Sequence, residues 1–381
     1  MTRTYQICTR CIMDTSDPEI QFDHNGVCNH CRRYDELVKS YVFTGEEGQK
    51  RLNAIVDKTK KEGKNNKYDC IIGLSGGADS TYVAYLAVRK LGLRPLAITL
   101  DNGYDSDISA SNVRNIVTNL GLDPYTCVID WQEMKDLQLA YFRAGVINIE
   151  AVTDHAIVAA LYNTAAKHGV RHILSGWNIV TEGILPQSWG HRSDDLVNLR
   201  GIHRRYGQVE LRSFPTLGFR KLMYYHLARR IQLHSILNYV PYVKTDAKNL
   251  IAHELGWQDY GTKHFESVFT RFYQAYILPT RFGIDKRRSH LSCLICSNQM
   301  TREDALREMQ NDPYASADLK RDKEVVLTKL GLDEGEFHRL MALPIKSHLD
   351  YGSSVRWFRL AESIGANTRR LLGATRVDRH E

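Results

Sequence analysis

Two sets of residues in this chain are spaced for chemistry. The first is Ser75-Gly76-Gly77-Ala78-Asp79-Ser80, a Gly-rich turn with two hydroxyls and one carboxylate. The run before it, Cys70-Ile71-Ile72-Gly73-Leu74, reads as a buried strand, and residues 82–88 after it read as a packed helix. A strand that ends in such a turn and feeds a helix is built to hold phosphate. Its backbone N–H groups point inward, and the helix N-terminus adds partial positive charge. The second set is Cys8-Thr9-Arg10-Cys11 and, after a gap of 16 residues, Cys28-Asn29-His30-Cys31. Two C-x2-C pairs at this separation have zinc-ribbon spacing. Each pair turns two thiolates onto one face of a metal, and two pairs complete a closed tetrahedral site with no open position, so the expected Zn²⁺ is structural. Asp23-His24-Asn25-Gly26 between the pairs reads as a hairpin turn centred on Asn-Gly, with His24 and His30 as spare ligands.

The elements that position these residues follow from patterning. Residues 94–100, 123–130 and 171–175 read as further strands, separated by helical stretches at 109–120, 131–144 and 154–168. Strand and helix alternate, so the expected sheet is parallel and doubly wound, with helices on both faces. Ligands bind such sheets outside the carboxyl ends of the strands. That rule gathers Ser75–Ser80, Asp101-Asn102 and Gly176-Trp177-Asn178 along one edge. The stretch Gly176–His191 mixes two Trp, Asn178, Glu182 and His191 with glycines, which suits a sugar or nucleotide pocket or, alternatively, an irregular crossover with packed aromatics. Beyond Phe219 strand signals nearly vanish, and helices are expected over 220–233, 246–255, 264–277 and 285–300. Lys286-Arg287-Arg288 can reach phosphates or form a solvated charge run. Cys293 and Cys296 fall in an apolar helical run with no second pair near in sequence, so zinc is not expected there. They read as two small buried side chains one turn apart, or as a redox or Fe–S pair if Cys70 or Cys127 lies close. The expected organisation is a ribbon over 1–40, a linker and helix over 41–66, a nucleotide domain over 67–215 and a helical substrate domain over 216–381.

Bulk properties set the frame. With 381 residues, 43% hydrophobic and 25% charged, the chain has the composition of a globular protein. No run of 18 apolar residues and no leading apolar segment is present, so neither a membrane span nor a secretory signal is expected, and the expected location is the cytoplasm. The net charge of +7 fits an anionic small substrate, RNA or a bare basic surface equally. No dense Lys/Arg stripe interleaved with aromatics accompanies the ribbon, so nucleic acid is not an expected partner.

The SGGADS segment, lying between a strand and a helix, resembles the signature of the PP-loop ATP pyrophosphatases, which include NAD, GMP and asparagine synthetases and tRNA thiolation enzymes. That resemblance implies an adenine nucleotide alpha hydrolase-like fold. No lysine follows the glycines, unlike a kinase-type P-loop. The loop then holds the β,γ-phosphates of ATP through Ser75, Gly76, Gly77 and Ser80, with Asp79 orienting Mg²⁺. It further implies that Asp101, Asn102 and Gly176 receive the nucleotide; a plain Asx turn is the alternative for the first two. Over nearly its whole length the chain resembles the N-acetyl sugar amidotransferase family (WbpG/PseA-like). The matching features are the four cysteines, SGGADS, Thr181-Glu182-Gly183-Ile184-Leu185-Pro186, Phe214-Pro215-Thr216-Leu217, Glu254-Leu255-Gly256-Trp257, Lys263–Ser267, Phe272-Tyr273-Gln274, Phe282–Arg288 and Gln299-Met300-Thr301-Arg302. The Cys293/Cys296 pair departs from that family. The resemblance implies ATP-dependent conversion of an acetamido to an acetamidino group on a nucleotide-linked sugar for O-antigen or other surface glycan. Asp79, Ser80 and Glu182 would be catalytic, and Trp177, Asn178, Glu182, His191, Lys286 and Arg287 would meet the sugar nucleotide. Residue 2 is Thr and no glutaminase triad stands out, so a separate glutaminase is the expected ammonia source, and an oligomer is allowed. The competing expectation is a tRNA-thiolation type of enzyme, which activates a base carbonyl in the same way.

Overall fold

The computed structural model describes residues 4–261, 266–361 and 363. Its centre is a parallel five-stranded sheet: β1 (Cys70–Gly73), β2 (Pro95–Asp101), β3 (Asp123–Val128), β4 (His172–Leu174) and β5 (Gln232–His234), in the order β3-β2-β1-β4-β5. Period-two alternation splits β1 between the two faces. Cys70 and Ile72 pack with the helices Gly45–Gly63, Ala78–Tyr85 and Lys244–Leu255, while Ile71 packs with Ala151–Lys167 and Phe219–Leu227. The strand order reverses between β1 and β4, so the crevice at their carboxyl ends is the switch point where such sheets take ligands.

The α/β fold is as expected, with three corrections to its parts. The helix expected over 220–233 ends at Leu227, and Gln232–His234 pairs with β4 as a fifth strand. The sheet therefore continues past the expected boundary at 215. The linker and helix expected over 41–66 are mostly helix, because Gly45–Gly63 is continuous and seats Leu52 and Val56 on the sheet. The helix expected over 264–277 begins at Val268 and widens into a π-helix over Tyr273–Phe282, which contains Pro279; residues 264 and 265 lie outside the described residues. A proline cannot donate an i→i−4 bond, and wider turns of this kind often accompany functional sites. Residues 369–381, a mixed-charge tail that reads from the sequence as loosely held, also fall outside the described residues.

The ribbon is built into the body of the protein. Cys8, Cys11, Cys28 and Cys31 belong to the same apolar core as Phe142, Phe269 and Phe337. Arg302 donates to the carbonyls of Cys8 (2.9 Å) and Cys11 (3.0 Å), Arg288 to Ile12 O (2.9 Å), and Ser188 to Asp17 (2.6 Å). Among the described residues no helix is long and apolar enough to cross a membrane.

Candidate active site and metal centre

The loop after β1 folds back on itself for local reasons. Gly76 has φ +74, and a Cβ there would come within 2.7 Å of Ser109 O, so only glycine fits on both counts. Gly77 O accepts from the Thr81 amide (3.0 Å) and hydroxyl (2.7 Å), which starts the helix Ala78–Tyr85. Ser75 and Ser80 hydroxyls stand 3.4 Å apart at the mouth. Trp257 Nε1 (2.9 Å) and Asn112 (3.3 Å) both donate to Gly76 O and lock the turn from behind. Gly176, at the end of β4, presses directly on this loop: a Cβ there would lie 2.8 Å from Ser80 N.

Ser75, Gly77, Ser80 and Gly176 wall a cavity of about 230 Å³ with Asp79, Trp177, Glu182, Lys244, Lys248, Tyr260, Gly261 and Glu266. Tyr242 donates its hydroxyl to Asp79 and thereby orients the carboxylate. Burial first, then Asp79 itself, pushes the Tyr242 phenol well above its usual range, so it stays a donor at neutral pH. Lys248 is held by Asp259 at 2.8 Å. Behind Glu266, Asp105 has its carboxyl pushed up to about 6, by burial and then by Asp101 and Glu266. A larger cavity of about 500 Å³ shares Lys244, Lys248 and Gly261 with the first, and its wall includes Thr181, Gln274, Lys286, Arg287, His290 and Leu294. Thr181 faces the second cavity and the adjacent Glu182 the first, so the short helix Ile179–Glu182 stands at their junction.

The sequence-predicted residues divide as follows. Ser75, Gly77, Asp79, Ser80, Gly176, Trp177 and Glu182 come together around the first cavity, and Lys286 and Arg287 around the second. Arg287 is engaged by Asp285 (2.7 Å) and by the carbonyls of Asn311 and Glu308, so its guanidinium orders that wall. Asn178 is fully buried and caps the helix Ile179–Glu182 through Thr181 N (2.9 Å) rather than facing either cavity. His191 lies on the wall of neither cavity; it stacks on His348 at 4.5 Å, and burial, then His348, pushes it down to about 3. Asp101 forms an Asx turn with Gly103 N (3.0 Å), Asn102 bonds Tyr104 N (3.1 Å), and neither lines a cavity. Sequence reasoning missed Tyr242, Lys244, Lys248, Tyr260 and Glu266. The available signals were Trp257-Gln258-Asp259-Tyr260-Gly261, a turn rich in aromatics after a helix, and the Lys263–Ser267 stretch, which contains Glu266 but was given no site role.

At the ribbon, Sγ separations are 3.8 Å (Cys8–Cys31), 3.7 Å (Cys11–Cys28) and 3.7 Å (Cys28–Cys31), and all four sulfurs lie within 4.8 Å of one another. Four ligands at a Zn–S distance of about 2.3 Å define a tetrahedron with edges of about 3.8 Å. Backbone N–H groups of Cys11 (3.4 Å), Met13 (3.4 Å) and Cys28 (3.3 Å) point at the sulfurs, as thiolates require. His24 and His30 are not needed; His30 bonds Asp17 at 2.6 Å. The Cys293/Cys296 pair does not stand apart from this cluster as its sequence position suggested, because Cys296 Sγ lies 3.8 Å from Cys31 Sγ.

Two family models match parts of the chain. The family model for NAD synthase matches residues 49–174, and that for the C-terminal domain of WbpG-like LPS biosynthesis proteins matches residues 266–364. An uncharacterized protein of Methanocaldococcus jannaschii is 28% identical over 117 residues, covering 30% of this chain and 40% of that protein. An NH3-dependent NAD synthetase from Campylobacter jejuni, solved with a nitrate ion, is similar at 18% identity over 55% of this chain and 84% of that one (TM-score 0.29). An NMN synthetase from Francisella tularensis is similar at 16% identity over 60% of this chain and 91% of that one (TM-score 0.29). The parallel sheet, the Ser75–Ser80 loop and the family match together give residues 49–174 the character of an NAD synthase-like PP-loop domain. Residues 266–364 add to it a WbpG-like C-terminal domain.

Proposed function

We propose that this protein is an ATP-dependent amidotransferase that adenylates the acetamido oxygen of a nucleotide-linked N-acetylated sugar. Ammonia from a separate glutaminase then displaces AMP, and the acetamidino sugar enters a surface glycan. The observation that carries this reading is the pair of adjacent cavities, one walled by the Ser75–Ser80 loop and the other by Lys286 and His290, with Lys244 and Lys248 lining both. Two reactants, each with a chain of phosphates, need such an arrangement: their phosphates share the lysines and their reacting ends meet at the junction.

Roles follow from position. The loop amides with the Ser75 and Ser80 hydroxyls hold the pyrophosphate that leaves, and Lys244 and Lys248 supply the positive charge that the loop lacks. Asp79, Glu182 and Glu266 give the first cavity the hard oxygen donors that suit Mg²⁺, which when bound neutralises developing phosphate charge. Glu182, at the junction, is suited to take the proton that ammonia loses as it adds. The four-cysteine site is proposed to hold Zn²⁺ as a structural metal.

Purified protein supplied with ATP, Mg²⁺, ammonium and a UDP-linked di-N-acetylated sugar is expected to release AMP and to yield an acetamidino product by mass spectrometry. AMP release that instead requires tRNA and a sulfur donor overturns this reading in favour of RNA thiolation.

A further inference from the structure

The proposed reaction leaves one pair of side chains unused. Cys296 ends the helix Arg287–Cys296, and its sulfur stands 3.8 Å from that of Cys31, as close as the ligands stand to one another. Yet Cys296 is not one of the four residues whose ligand atoms converge on a common metal position. It is only half-buried, whereas Cys31 is fully buried, so a small solute reaches the cluster first at Cys296. Cys293, one turn earlier, is fully buried and accepts the Ile184 amide at 3.2 Å. Cys70 lies in β1 and Cys127 on β3, and the sulfur that Cys296 meets is that of Cys31.

We infer that Cys296 and Cys31 form a disulfide when a hydroperoxide reaches the cluster, and that this bond releases the ribbon metal. The steps balance. The hydroperoxide oxidises the Cys296 thiol to a sulfenic acid and is itself reduced to water or an alcohol. The Cys31 sulfur leaves the metal with its electron pair, attacks the Cys296 sulfur and expels hydroxide. Two electrons in all pass from the two thiol groups to the hydroperoxide, and the metal is left with three thiolates. A disulfide is about 2.05 Å long, so the sulfurs close by about 1.8 Å. The movement falls on the last turn of the helix, where regular structure ends. That helix also carries His290, Leu291 and Leu294 on the wall of the second cavity, so the bond acts on the acceptor side of the site.

The test uses the zinc-loaded full-length chain and hydrogen peroxide. Released zinc is followed with a chromogenic chelator, and disulfides are mapped by proteolysis without reductant and mass spectrometry. The expected result is a Cys31–Cys296 disulfide formed one-for-one with zinc released, reversed by a thiol reductant with added zinc. Cys296→Ser and Cys296→Ala alter no ligand, so both are expected to keep full zinc content, lose that disulfide and resist release. Zinc release from either variant at the wild-type peroxide dose overturns the inference. So does a disulfide joining two of the four ligands, or a wild-type chain that binds no zinc. No acceptor sugar enters the assay, so its outcome is separate from that of the proposed reaction.

Discussion

Gly176→Ala is the sharpest test of the loop. Gly176 is not among the residues with left-handed φ, so alanine meets no backbone penalty there. Space is the obstacle: the added Cβ would lie 2.8 Å from Ser80 N, 3.0 Å from Asp79 C and 3.1 Å from Ser80 Cα, against an ordinary contact of 3.4–4 Å. All three are backbone atoms of the loop, so no side chain can swing aside, and the loop or the end of β4 has to shift by about 0.6 Å. Overpacking of this size costs about 1–3 kcal/mol of stability. A misplacement approaching 1 Å at reacting groups costs about 100-fold in rate, so a fall in kcat/KM of roughly 10- to 100-fold is expected. The assay is AMP formation at saturating acceptor, with the thermal midpoint measured alongside. Gly190→Ala is the control, since its Cβ would meet nothing within 4 Å and its φ of −171 is extended backbone. Gly176→Ala retaining kcat/KM within about twofold of wild type, with unchanged KM for ATP, refutes the claim that the β4 edge sets the position of the loop.

Three further outcomes are expected. Tyr242→Phe removes the hydroxyl that orients Asp79; a hydrogen bond to a charged group contributes about 1.5–3 kcal/mol, so KM for Mg-ATP is expected to rise about tenfold or more, measured by initial rates. Cys28→Ser removes one thiolate from the cluster, and zinc content by atomic emission, thermal midpoint and AMP formation are expected to fall together. His191→Phe tests a buried imidazole whose folded value, about 3, lies below its free value of 6.5 because of burial and then His348. The unfolded chain holds more protons in that window, so His191 stabilises the fold fully above pH 6.5, and its contribution is lost as pH falls towards 3, by up to about 1.4 kcal/mol per pH unit. The variant is expected to lose this part of the slope in urea melts from pH 7 to pH 4, with His348 and Asp195, the groups facing His191, unchanged.

The parts of this protein that were legible in the sequence are those whose chemistry is local. Ser75–Ser80 is read from six neighbouring residues, and the four cysteines from two turns whose spacing matches a metal's geometry. Strands β1, β2 and β4 carry apolar runs bounded by turn residues, and burial enforces that pattern, whereas the edge strand β3 is largely exposed and is read from its β-formers Tyr125, Thr126 and Val128. β5 was hidden because Gln232-Leu233-His234 is short and largely polar; it is a strand only because β4 offers it an edge. Lys244 and Lys248 were hidden for another reason. Exposed lysines on a helix face look the same whether they face solvent or a cavity, and only tertiary placement against the loop distinguishes them. Asn178 and His191 failed in the opposite direction, polar residues in a promising stretch that packing turned inwards. The Cys31–Cys296 contact joins residues 265 apart in sequence, and no local pattern carries such a distance.

The position of the ribbon ties it to the proposed reaction. Glu182 stands on a helix of only four residues, far too short to hold its shape alone. It is pinned from three sides. Asn238 accepts the Ile179 amide (2.9 Å), Tyr34 of the ribbon helix Asn29–Tyr41 donates to Val180 O (3.0 Å), and Cys293 accepts the Ile184 amide (3.2 Å). Gly183 is squeezed against the Tyr34 ring, where a Cβ would lie 3.0 Å from Cδ2. Cys28 and Cys31 sit at the start of the helix that carries Tyr34, so a metal on the four sulfurs fixes the helix, and the helix fixes the turn that holds Glu182. By this path a site with no open coordination position would act on the proposed reaction. Tyr34→Phe separates the two roles: it removes the bond to Val180 while leaving every thiolate in place. Zinc content and thermal midpoint are expected to stay near wild type, while kcat for AMP formation falls and KM for ATP holds. An unchanged kcat would reduce the ribbon to a fold-stabilising element with no hold on the junction between the two cavities.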